Sequence, residues 1–125
     1  MFAWLHRWLA RARPATSPEA SIVVADTDGA ITATYPDGRQ LAVAWQDLTS
    51  VEVHTDDSGP WGADVWWVLR DATQACIFPA GAHGEPELLP KLQSLPGFAN
   101  DELIRAMAST EPAAFLCWRR PPRAD

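Results

Sequence analysis

A chain of 125 residues with 47% hydrophobic and 21% charged residues can bury one core but not two, and it is too apolar to be globally disordered. Its formal charge of −6 hides an uneven layout: Arg7, Arg11, Arg13, Arg119, Arg120 and Arg123 lie at the two ends, while between Pro14 and Trp118 four basic residues face fifteen carboxylates and leave that body at −11. Such a body repels phosphate, which argues against a nucleic-acid partner, and no run approaches the ~18 apolar residues of a membrane-crossing helix.

The first 13 residues read as an amphipathic helix. Phe2, Leu5, Leu9 and Ala12 share a side, Trp4 and Trp8 lie beside them, and Arg7 and Arg11 stack one turn apart opposite. Aromatic and leucine residues set against arginines, with no acid among them, suit a helix lying in an anionic membrane interface or against a protein partner. The same face could instead dock on its own domain, because a helix this short needs some surface to rest on. His6 and Arg7 interrupt the apolar run, so it does not read as a signal peptide.

Pro14 to Pro18 breaks the helix and forms a short, stiff linker. From Ala20 the period changes from helical to alternating. Strands are expected at Ser21 to Ala25, Ala30 to Tyr35, Gln40 to Trp45 and Ser50 to Thr55, punctuated by Asp26-Thr27-Asp28-Gly29 and Pro36-Asp37-Gly38. Asp56 to Gly62 reads as the longest loop of this region. Val65-Trp66-Trp67-Val68-Leu69 then has no polar face, so as a strand it must be covered on both sides. Gln74 to Phe78 is the sixth strand, ended by Pro79.

Helical grammar follows. Leu88, Leu89, Leu92 and Leu95 share a face, with Pro90 either opening that helix or kinking it. Asn100 is the expected cap of a second helix, with Leu103, Ile104 and Met107 inward. Ala113 to Trp118 reads as a last strand, and residues 119–125 as a basic, Pro-rich tail with nothing to bury. The fold class is therefore α+β: a strongly bent antiparallel sheet or partly open barrel of six or seven strands with C-terminal helices. The segments are an N-terminal helix (1–13), a linker (14–18), one domain (19–118) and a tail (119–125).

The phrase from Asp37 to Val51, with a strand ending in Trp45-Gln46-Asp47-Leu48, resembles small bacterial proteins with a pleckstrin-homology-like domain. Gly59-Pro60-Trp61 through Leu69, Leu95 to Asn100 and Ala106 to Thr110 are similar to uncharacterised members of that group. The resemblance implies a curled antiparallel sheet plugged by a C-terminal helix. It departs in the strand after the second helix, and it implies no activity.

Chemistry-bearing motifs are absent: no phosphate loop, no Gly-x-Ser-x-Gly and no His-Glu-x-x-His. Cys76 and Cys117 each sit in apolar surroundings, as buried thiols of a reducing, cytoplasmic setting do. His54, Asp56, Asp57 and Asp64 match no metal-binding spacing, and His83 with Glu85 reads as a loop entering a helix. Trp61, between Pro60 and Gly62 and flanked by Asp57 and Asp64, has the character of an interface anchor.

The sequence thus points to a non-enzymatic interaction or adaptor domain without cofactor or metal. Its contact residues would be Phe2, Trp4, Leu5, Arg7, Trp8, Leu9 and Arg11, on a protein partner or the cytoplasmic face of the inner membrane. The other reading is an acidic, immunity-type protein that neutralises a basic toxin or another protein partner through the loop carrying Asp56, Asp57, Trp61 and Asp64.

Overall fold

Turn chemistry builds the first sheet. The computed structural model describes the backbone of residues 22–59 and 62–122 and the side chains of 22–56 and 65–122. The N-terminal helix and linker expected from the sequence lie outside them, as does Trp61. Strands β1 (Val23–Thr27), β2 (Ala30–Thr34) and β3 (Gln40–Ala44) form an antiparallel sheet in that order. Asp28 and Gly29, at φ of 54° and 78°, make the tight turn whose twist suits flanking strands. Gly38, at φ 91°, closes the next turn and donates its N–H to Tyr35 O at 2.9 Å. Val24, Ile31, Ala33 and Val43 face the core.

A 3-10 turn at Trp45–Asp47 leads into β4 (Ser50–Gly59), β5 (Gly62–Arg70) and β6 (Ala75–Pro79). After helices α1 (Glu85–Gln93) and α2 (Asn100–Ala108), β7 (Ala113–Arg119) returns to the free edge of β4. The second sheet therefore runs β6-β5-β4-β7, antiparallel throughout. One bent sheet or barrel was the expectation; the described strands instead form two sheets. Side chains join them: Gln74 Nε2 donates to Ala42 O at 2.9 Å, and the Tyr35 hydroxyl donates to Ile77 O.

The expected loop from Asp56 to Gly62 is mostly strand. β4 runs on to Gly59 and β5 restarts at Gly62, with a register shift between Asp56 and Gly59 that absorbs the mismatch of the two arms. Strand propensity is poor in Asp-Asp-Ser-Gly, but pairing with β5 overrides it. A second bulge, at Val51/Glu52 against β7, makes Cys117 the extra residue, so that Cys117 and Trp118 are both buried despite being neighbours.

Of the two alternatives for the first helix, the one with Pro90 inside it holds: α1 starts at Glu85 and passes through Pro90. Pro86 sits in the first turn, where an N–H has no helical partner, so Pro90 alone removes a bond. The second helix departs from expectation. Asn100 is the first helical residue of α2 rather than its cap; its Oδ1 accepts from Gln93 Nε2 at 3.0 Å. Leu103 and Ala106 turn inward, which sends Ile104 and Met107 to the surface at 68% and 47% exposure. The small Ala106 lets the helix approach β7 closely, and Ala99 N–H donates to Cys117 O at 2.7 Å. Arg120, assigned to the tail, donates from Nε to Leu48 O (2.7 Å) and from Nη2 to Trp45 O (3.0 Å).

The joint between the sheets and α1 is Gly84. Val24 N–H donates to His83 O at 2.8 Å and His83 N–H to Ile22 O at 2.9 Å, a parallel bridge along the edge of β1. Gly84 follows at φ 96°, and a Cβ there would lie 2.1 Å from Val24 O. Gly84→Ala is therefore expected to cost at least about 2 kcal/mol, since strain at φ and a backbone collision add. Gly38→Ala, with open space around it, should lose only ~1 kcal/mol. Urea denaturation of the two variants beside wild type tests the contrast; equal losses would refute it.

Candidate functional site

The alternation of β5 sorts the second sheet into two faces. Trp67 and Leu69 point inward with Val51, Val53 and Phe78, and the Trp67 and Phe78 rings stack at 6.4 Å. Trp66 and Val68 point outward and form a second apolar cluster with Ile77. The expected two-sided cover of Val65 to Leu69 is thus met by two clusters.

The outer face also carries charge. Glu52 lies at its centre: Oε1 is 2.8 Å from His54 Nε2, and Arg70 Nε donates to Oε2 at 3.0 Å. The register explains the geometry. Glu52 pairs with Val68 and Ser50 with Arg70, so Glu52 and Arg70 are diagonal neighbours, while His54 is two residues along the same strand and face. The bond to His54 outweighs burial and, with Arg70, holds the Glu52 carboxyl below its ordinary value. Sequence reasoning missed this trio; its signal was the alternation Glu52, His54 between the inward Val51, Val53 and Thr55.

Of the four expected loop residues, Asp56 is buried on the outer face at 7% exposure, and Asp64 is its partner in register. Only the backbone of Asp57 and Asp64 is described, and Trp61, like Phe2, Trp4, Leu5, Arg7, Trp8, Leu9 and Arg11, lies outside the described residues. His54 Nε2 faces Glu52 Oε1 at 2.8 Å. Among the described residues, no group of three or more His, Cys, Asp or Glu side chains could hold a metal ion.

The other chemistry-bearing groups are committed to structure. Cys76 and Cys117 are free, buried thiols on strands at opposite edges of the second sheet, which leaves them no route to a disulfide. Burial pushes Cys76 up to about 12 and Cys117 up to about 11, so both stay protonated at neutral pH, the wrong form for a nucleophile. A groove of about 770 Å³ runs between Val23 to Asp26 and Gly81 to Leu88. Of the acids that line it, Glu85 accepts from Trp67 Nε1 (2.7 Å) and Gly81 N–H (2.8 Å). At the far side of α1, Asp26 accepts from Trp45 Nε1 at 2.8 Å and pairs with Lys91, whose ammonium lies 5.4 Å from the Trp45 ring centre. Lys91 first, then Trp45, lowers the Asp26 carboxyl.

No family model, curated protein or solved structure matches the chain.

The Glu52 trio makes stability depend on pH in one direction. A carboxyl lowered in the folded state stabilises above the unfolded value of about 4.3 and loses that contribution as pH falls through its folded value. Glu52→Gln is expected to cost about 1 kcal/mol at pH 7 and to converge on wild type in acid. Urea midpoints of both proteins between pH 7 and pH 3 test this. A constant difference across that range would mean the carboxylate charge plays no part.

Proposed function

We propose that this protein is a non-catalytic interaction domain of the pleckstrin-homology-like kind, attached through its amphipathic N-terminal segment to an anionic surface on the cytoplasmic side of the inner membrane or to a protein partner. The observation that carries this reading is the division of labour along the chain. In the described domain the thiols are buried and protonated, and Glu52, His54, Arg70 and Glu85 are engaged in bonds that hold strands and helix together. The residues suited to binding something external, Phe2, Trp4, Leu5, Arg7, Trp8, Leu9 and Arg11, are gathered in one short amphipathic stretch ahead of that domain.

A basic segment attached to a body of −11 has a physical advantage at an anionic surface. The arginines are drawn to the lipid headgroups while the body is repelled, so the domain is held off the surface by its linker. A second reading, capture of a basic protein by an immunity-type domain, draws on the pairing of Asp56 with Asp64 at the neck of the β4–β5 hairpin.

Flotation with vesicles containing phosphatidylglycerol separates the two readings. Wild type is expected to float and to be released by raised salt, and Trp4→Glu combined with Trp8→Glu is expected to leave it in the soluble fraction. Wild type that ignores the vesicles at low salt removes membrane attachment and leaves the protein-partner readings.

A further inference from the structure

We propose that the outer face of the second sheet is the docking surface for the chain's own N-terminal segment, Phe2 to Arg13, when no membrane or partner holds it. This goes beyond the attachment reading, with which it shares only the amphipathic character of that segment.

The argument starts from burial. Trp66, Val68 and Ile77 point away from the main core, where β strands of this kind usually meet water, yet their exposures are 6%, 0% and 3%. Among the described residues, the apolar neighbours packed on them are Leu41 and Ala75. The two described α-helices lie elsewhere: their buried residues Leu88, Leu92, Leu103 and Ala106 belong to the main core. A tryptophan and two branched aliphatics at this depth need an apolar cover, and a helix side bearing Phe2, Leu5 and Leu9 with Trp4 and Trp8 beside it is one.

One polar group on the same face points the same way. Trp66 Nε1 is buried with no hydrogen-bond partner among the described residues, a donor that whatever covers the face would meet.

The chain can reach. Ile22 is held beside His83, four residues past Pro79, and Pro79 pairs with Trp66 on the same sheet. The eight residues from Pro14 to Ser21 span up to about 28 Å, against about 15 Å across four strands. A 13-residue helix is about 20 Å long, close to the length of the strands beneath it.

Docking and membrane attachment would use the same apolar side, so one excludes the other. Only release would expose the segment to a membrane or partner.

The test is a nitroxide on the full chain, placed by Ala10→Cys; Cys76 and Cys117 are buried and stay unlabelled in the native protein. In buffer without vesicles, the amide NMR signals of Trp66, Val68 and Ile77 are expected to lose most of their intensity, while those of Ile104 and Met107 on α2 keep theirs. Adding Trp4→Glu and Trp8→Glu to the labelled chain should restore the outer-face signals. Broadening centred on α2, or no localised broadening, overturns the proposal. So does equal broadening of an isotope-enriched unlabelled chain mixed with the labelled one, which would make the occupant a second copy. Vesicle flotation is read separately: docking without vesicle binding sinks only the membrane form of the attachment reading, and vesicle binding without docking sinks only this one.

Discussion

Val65 to Leu69 has no side it can give to water, and that constraint organises the rest of the molecule. A strand of this kind is stable only between two layers. Trp67 and Leu69 take the first layer, where β1 to β3 and both helices close over them. Trp66 and Val68 require the second, and each large apolar side chain covered there stabilises by about 1.5–3 kcal/mol. Flanking β5 with β4 and β6, and β4 with β7, places the strand inside the sheet, where its ladder groups are paired on both edges.

The single α1 joint transmits that constraint to the first sheet. The indole N–H of Trp67 would be an unsatisfied donor in the core, and Glu85 accepts it. The same carboxylate takes Gly81 N–H, so the loop after β6 is held in place by the residue that starts the helix. One residue earlier, Gly84 brings the backbone against Val24, which only a residue without Cβ allows. Core tryptophan, helix start and edge of β1 are thus fastened within two consecutive residues.

An acidic body of this size must place its carboxylates with care, because self-repulsion opposes compaction. Four of the described ones meet a charged or hydrogen-bonding partner. Asp26 takes Lys91 and Trp45, Glu52 takes His54 and Arg70, Asp37 takes Arg39, and Glu102 takes Arg105. Most of these pairs are partly exposed and contribute little each. Their value lies in relieving repulsion where strands bring carboxylates together.

Order and type of the described strands and helices were legible from the sequence, because hydrophobic period and turn chemistry are local. Alternation marked the strands, Asp28-Gly29 and Pro36 to Gly38 marked the turns, and the apolar run at Val65 to Leu69 announced two-sided burial before any partner was known. Pairing was not legible. Splitting into two sheets, the return of β7 to β4, and the extension of β4 through Asp-Asp-Ser-Gly all depend on which edge meets which. Helix phase failed at Ile104 and Met107 for a similar reason: β7 selects the face with the smaller Ala106, which no reading of α2 alone contains. The Glu52–His54–Arg70 trio needs the register of two strands to exist at all. By itself the sequence determined what had to be buried; only the tertiary structure decided against what, because strand register and helix phase are set by contacts far apart in the chain.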